Sequence, residues 1–285
     1  MADRVVQGEG RVVLAATPIG NLGDASPRLC ELLESADVVA AEDTRRLHRL
    51  VQGLGLTITG RVISYHEHNE RERAEELLEL VQEGQTILVV SDAGMPAVSD
   101  PGFRLVSAAV DAGVLVTAVP GPSAVLTALA LSGLPTDRFT FEGFLPRKAG
   151  ERLSSLRDLS AERRTMVFFE APHRLATMLA ALSEVFGANR PAAVCRELTK
   201  TYEEVIRGGL GELVAWAESG EVRGEIAVVV GGAGEPEASR PEDHVDAVSA
   251  LTAGGMRLKE AVAVVAETQG LSKRELYQAV LSARS

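Results

Sequence analysis

From Arg11 onward, short runs of Val, Ile, Leu and Ala alternate with amphipathic stretches of about ten to fourteen residues. Strands buried on both faces read as such continuous apolar runs, and their alternation with helical stretches marks βα units around a largely parallel sheet. The expected strands are Val12–Ala16, Val38–Ala41, Val62–Tyr65, Thr86–Ser91 and Val114–Val119, with helices between them. Ser26-Pro27 offers an N-cap and a proline at the first helical position ahead of Leu29, Leu32 and Leu33. Asp100-Pro101 repeats that device ahead of Leu105, Val106 and Ala109.

The pattern changes after Pro120-Gly121-Pro122. A small-residue helix over 124–131 leads to Phe139–Phe144, whose alternation predicts a half-exposed strand opening a second domain. Thr165–Glu170, Ala192–Glu197, Tyr202–Gly208 and Ile226–Gly231 would complete a mixed sheet. The stretch 232–241 has linker composition, rich in glycine, proline and charge. Beyond it, Val245–Ala253, Leu258–Thr268 and Lys273–Ala283 predict three helices, the last N-capped by Ser272. The fold class is therefore α/β: an N-terminal α/β domain at 1–120, a second at 121–232, a linker at 233–244 and a helical unit at 245–285. A unit of about 40 residues is small for independent stability, so it is expected to dock on another surface, such as a second subunit.

At 285 residues and 46% apolar, the chain can fill more than one core. It has no run of about 18 apolar residues, and Met1–Arg11 lacks the apolar stretch of a secretory signal. A cytoplasmic protein without membrane contact is expected. Cys30 and Cys195 each sit in apolar surroundings and read as buried reduced thiols. The net charge of −11 excludes a protein that coats nucleic acid indiscriminately. The acids crowd one stretch (Glu67, Glu70, Glu72, Glu75, Glu76, Glu79, Glu83), which reads as a solvated helix face. The balance reverses between Arg147 and Arg164, where Arg147, Lys148, Arg152, Arg157, Arg163 and Arg164 form a plausible phosphate-facing patch.

Candidate chemistry gathers at the ends of the expected strands, where open α/β sheets bind ligands. Thr17–Asp24 follows the first strand but is not a nucleotide fingerprint, because Pro18 stands where the first glycine would be. The loop Ser91–Gly102 carries two Asp, two Gly and two Pro; Asp92 can accept from ribose or amine groups, and Gly94 lets a backbone approach closely. Pro120–Ala124 opens a helix whose free N–H groups suit an adenosine or an anion, or is a simple strand-to-helix turn. Glu42 and Asp43, followed by Arg45, Arg46 and Arg49, could position a polyanion and provide a base, or merely complement a helix dipole. His66 and His68 share a strand face but lack a third ligand, so no metal is expected. Glu170–Arg174 and Arg196–Lys200 close strands with paired charges that also suit surface ion pairs. Arg257, Lys259, Lys273 and Arg274 give the tail a mild basic bias, fitting either RNA contact or a dimerisation appendage.

In order, Ala16–Leu22, Ala41–Arg45, Tyr65–Glu70, Ser91–Gly102, Pro120–Ala124, Phe169–Arg174 and Arg196–Lys200 closely resemble the ribosomal RNA small subunit methyltransferase I family of the tetrapyrrole methylase superfamily. The likeness runs from about Val12 to Gly231, and the tail resembles that family's helix-turn-helix extension. It implies two α/β domains with S-adenosyl-L-methionine in the cleft between them, and 2′-O-methylation of a cytidine in 16S ribosomal RNA, within the small subunit, by a homodimer. Carried over by motif, Asp92, Gly94, Met95 and Pro96 would line the cofactor, Ser123 and Ala124 its adenosyl part, and Glu170, Leu198 and Ile226 the second domain's side. Glu42, Asp43 and Lys200 are the candidates for the base or its electrostatic support. Arg45, Arg46, Arg147, Lys148 and the tail would engage RNA. The competing readings are methylation of a tetrapyrrole or a protein residue by the same fold, and a non-catalytic cofactor-sensing regulator that binds nucleic acid.

Overall fold

The computed structural model describes residues 10–234 and 240–283. The described residues up to Ser160, together with Arg164–Gly231, form one compact unit; Ala161–Arg163 and the residues from Gly232 onward form another.

The first sheet contains β1 (Arg11–Ala15), β2 (Val38–Ala41), β3 (Arg61–Ser64), β4 (Thr86–Val90) and β5 (Leu115–Val119), all parallel in the order β3-β2-β4-β1-β5. Helices α1 (Pro27–Ser35), α2 (Thr44–Leu54), α3 (Glu70–Gln82) and α4 (Phe103–Asp111) connect successive strands. Alternate strand residues feed two cores. Val12, Ile87 and Val89 pack with Leu77 and Leu105 on one face, while Val13, Leu88 and Val90 pack with Leu29, Leu33 and Leu47 on the other. Burial of both faces is why these strands are apolar throughout.

Helix α5 (Ala124–Ser132) leads into β6 (Phe139–Phe144), α6 (Ala149–Asp158), β7 (Thr165–Glu170), α7 (Leu175–Phe186), β8 (Pro191–Arg196), β9 (Glu204–Gly209), α8 (Leu210–Glu218) and β10 (Ile226–Val230). The second sheet has the order β6-β7-β10-β8-β9. Only β6 and β7 run parallel, with a bulge between Phe141 and Gly143. Its outer face packs on α6, α7 and α8 through Leu156, Leu175, Leu179 and Leu213. Its other face packs on Val125, Ala128 and Leu129 of α5 and on Ile19 from the loop after β1.

Three local expectations change. Asp100 does not cap α4: the N-cap is Gly102, at φ 143°, with no side-chain cap of its own. Glu70 of α3 supplies the missing acceptor, taking hydrogen bonds from the backbone N–H groups of Gly102 (2.9 Å) and Arg104 (3.2 Å). Glu70 is therefore set apart from the solvated acidic face, its side chain only 13% exposed. Cys30 is half-buried, whereas Cys195 is fully buried.

The second unit comprises α9 (Val245–Ala253), α10 (Leu258–Gln269) and α11 (Lys273–Ala283), packed around Val248, Val262, Val265, Leu276 and Val280. Gly270 ends α10 in the left-handed conformation, and Ser272 accepts from the Glu275 N–H at the start of α11. Arg257, Lys259, Lys273 and Arg274 are exposed. Of the expected linker, 235–239 lie outside the described residues. Among the described residues no helix is long and apolar enough to cross a membrane.

Candidate active site

All five parallel strands end at one edge of the first sheet, so their following loops converge. The loops after β1 and β4 are stitched together: Thr17 N–H donates to Gly94 O (2.9 Å) and Gly94 N–H to Thr17 O (3.0 Å). Gly94 sits at φ 81°, a conformation glycine adopts without strain. The loop after β4 then folds on itself through Ala97 N–H to Pro101 O (3.1 Å), with Ala97 and Ser99 both left-handed. The loop after β8 has the same character, with Glu197 and Thr199 left-handed. Such residues each cost about 1–2 kcal/mol and persist where their surroundings force them.

Between these loops and the second sheet lies a cavity of about 460 Å³, a volume suited to a cofactor or small ligand. Gly94, Met95, Ser99 and Asp100 form one wall, and Ser123 and Ala124 at the start of α5 form another. Ser123 is the N-cap of α5, its hydroxyl accepting from the Leu126 N–H. The opposite side is apolar, made by Ile19, Phe169, Cys195, Leu198, Ile226 and Ala227, with Glu170 and Glu225 at its margins. Burial pushes the Cys195 thiol up to about 11, so it is a neutral wall group at neutral pH.

A carboxylate cluster stands at one end. Glu42 Oε2 accepts from Asp92 N–H (3.1 Å), and Asp92 Oδ1 accepts from Asp43 N–H (3.1 Å), which ties the ends of β2 and β4 together. Arg46, on the cavity wall, pairs with Asp92 at 3.4 Å. Burial raises the carboxyls of both Glu42 and Asp92 above their ordinary values. Asp100 is pushed furthest, to about 7, first by burial and then by the Glu42 charge. Asp43 is the opposite case. As N-cap of α2, it accepts from the Arg45 N–H and is paired with the Arg45 guanidinium at 2.7 Å, which holds it well below the carboxylate range.

Lys200 is clasped by Glu197 (2.8 Å) and Glu225 (2.9 Å). Burial opposes its charge, but the two carboxylates outweigh burial and raise its affinity for the proton. A Cβ on Gly20 would run into the Lys200 side chain and lie 2.9 Å from Leu198 O, so the loop after β1 packs hard against the loop after β8.

The sequence model of the family described as Tetrapyrrole (Corrin/Porphyrin) Methylases matches residues 11–214, and that of the RsmI C-terminal HTH domain matches residues 238–284. Ribosomal RNA small subunit methyltransferase I of Mycobacterium bovis is 53% identical over 276 residues, covering 96% of each chain. Its counterpart from Escherichia coli O157:H7 is 43% identical over 275 residues, covering 96% of this chain and 95% of its own. The chain belongs to the ribosomal RNA small subunit methyltransferase I family. Its two sheets have the tetrapyrrole methylase fold: uroporphyrin-III C-methyltransferase from Thermus thermophilus, complexed with S-adenyl homocysteine, superposes with a TM-score of 0.54 at 21% identity, covering 78% of this chain and 97% of that one.

Of the positions that the family motifs single out, Gly94, Met95, Ser123, Ala124, Glu170, Leu198 and Ile226 line the cavity, as does Arg46. Asp92 and Pro96 do not. Asp92 is engaged by Asp43 and Arg46, and Pro96 is buried. Glu42, Asp43 and Lys200 also stand outside the lining. Arg45 and Lys148 are exposed and paired with Asp43 and Glu151, while Arg147 borders a neighbouring hollow. His66 and His68 pack edge-on at 5.9 Å, and no cluster of three metal-ligating side chains occurs among the described residues. Sequence reasoning missed Asp100, whose Asp-Pro pair reads locally as a cap. It also missed Phe169 and Ala227, ordinary strand residues whose role depends on which face the sheet presents.

Proposed function

We propose that the protein transfers a methyl group from S-adenosyl-L-methionine to the 2′-hydroxyl of a cytidine in 16S ribosomal RNA, in the cytoplasm and as a homodimer. The observation that carries this reading is the likeness, over 96% of each chain, to an enzyme named for methylation of small-subunit ribosomal RNA. The cavity fits the cofactor. It pairs an apolar wall and the N-terminus of α5 with the carboxyl groups of Asp100 and Glu225, which suits a ligand that carries both an adenosine and cationic groups. Gly94, Met95, Ser123, Ala124, Glu170, Leu198 and Ile226 would hold it, with Asp92 and Pro96 shaping the loop from behind. When bound, the cofactor supplies an electrophilic methyl group on a sulfonium.

A ribose hydroxyl is a weak nucleophile, so the protein must hold its oxygen in line and take its proton. Asp100 is the carboxylate best suited to that step, since it faces the cavity and changes protonation near neutral pH. Glu42 acts on it through charge. Asp43, engaged as a helix cap, and Lys200, held as an ammonium, are left with positioning roles. Arg46 at the cavity wall and Arg147 beside it would meet RNA, with Arg45 and Lys148, both exposed, as their neighbours in the chain.

Incubation with labelled methyl donor and small ribosomal subunits lacking the modification tests this reading. Label should enter the RNA and appear, after nuclease digestion and mass spectrometry, as a 2′-O-methylcytidine. Stable binding without transfer would instead support a regulator, and methylation of protein or tetrapyrrole would redirect the assignment.

A further inference from the structure

Beside the cavity, sharing Phe144, Glu170 and Ala171 with it, lies a second hollow whose charge the cofactor does not use. Its polar lining carries three guanidiniums, Arg147, Arg152 and Arg174, beside His173 and Thr177, with Glu170 the one acidic member. Glu170 is fully covered and already paired with Arg174 at 3.2 Å. Arg147 and Arg152 have no carboxylate partner among the described residues.

Arg152 is the unusual member. It projects from α6 yet is only 8% exposed. One guanidinium nitrogen donates to Arg147 O (3.3 Å), and its buried Nε has no hydrogen-bond partner. Arg174 likewise donates to Leu145 O (2.9 Å), so two guanidiniums brace the turn at 145–147 that forms the rim. A buried guanidinium left short of acceptors pays a desolvation cost that an anion in the hollow would offset.

The geometry points to this hollow as a phosphate subsite that seats a phosphodiester of the RNA strand next to the ribose presented to the cavity. It rests on the reading of the protein as an RNA methyltransferase and adds the residues that orient the substrate. A ribose in RNA is flanked by phosphates, so a strand whose hydroxyl enters the cavity brings a phosphodiester to its rim. Arg147 and Arg152 offer the planar, fork-shaped donors that match phosphate oxygens. Holding that phosphate fixes the strand's register, which aligns the hydroxyl without touching the reacting atoms. These are positioning residues.

The full-length protein and its R147Q, R152Q and R152K variants test the assignment. With unmodified small ribosomal subunits, R147Q and R152Q should each raise KM about tenfold and lower the slope of log KM against log salt by about one. Cofactor affinity should stay unchanged in both, as should Tm in R147Q, and R152K should restore the salt slope but only part of KM. Unchanged KM and salt slope in R147Q and R152Q would overturn the subsite, as would a loss of cofactor affinity in step with KM. If R152Q fails to fold, the exposed Arg147 decides alone. A wild-type protein that transfers no methyl group would defeat the functional reading instead, and anisotropy with a short single-stranded RNA, with and without R147Q, would still judge the hollow. Inorganic phosphate that raises Tm at millimolar concentration without competing with that RNA would assign the hollow to a free anion and overturn the RNA subsite.

Discussion

At Asp100, burial and the neighbouring Glu42 charge both oppose ionisation, and the carboxyl is lifted to about 7. Activity should therefore climb as pH rises through about 7, where the base becomes available. Asp100→Asn should remove that climb and lower kcat by about 10²–10⁴-fold, read from a pH–rate profile. Stability should follow the opposite course. Because the folded state holds this proton more tightly than the unfolded chain, its contribution is fully present below the ordinary carboxylate value and is lost as pH rises through about 7. Thermal melts of D100N should match wild type near pH 4 and exceed it above pH 7. This role was not legible in the sequence. Asp100-Pro101 is a local cap signature, and what changes its meaning is Glu42, brought close because β2 and β4 are neighbours. Ser26-Pro27 carries the same signature and behaves as expected, with Ser26 accepting from the Leu29 N–H at 3.1 Å.

Among the elements, α4 depends on α3 for its start. Glu70→Ala should cost about 1 kcal/mol in a denaturant titration, the ordinary consequence of a lost helix cap, and should loosen the cavity loop that ends at Gly102. The loops after β1 and β8 are coupled more tightly. Gly20→Ala should cost about 1–3 kcal/mol through overpacking against Lys200 and Leu198, and calorimetry should show a matching fall in cofactor affinity. The β/α alternation of the first sheet could be read from sequence because strands such as Val38–Ala41 are buried along their whole length. The pairing of second-sheet strands could not, since antiparallel β8 and β10 carry the same apolar runs as parallel strands. Nor was the left-handed backbone at Ala97, Ser99, Glu197 and Thr199 foreseeable, because none is a residue that seeks that conformation.

On the scale of the whole molecule, an acidic chain is proposed to work on a polyanion, which requires the positive charge to be local. The Arg147–Arg174 hollow and the exposed bases of the C-terminal helices supply it. Because the first unit holds its own cores on both faces of each sheet, a chain ending at Gly231 should fold and bind cofactor while losing much of its affinity for RNA in a salt titration. The tail's three helices were legible from glycine spacing and periodicity. The reciprocal Thr17–Gly94 hydrogen bonds also make the molecule its own reporter. Neither amide can exchange with deuterated solvent until the two loops part, so their exchange rates measure how often this side of the cavity comes apart. Cofactor should slow both amides by the same factor; different factors would mean that the two loops move separately.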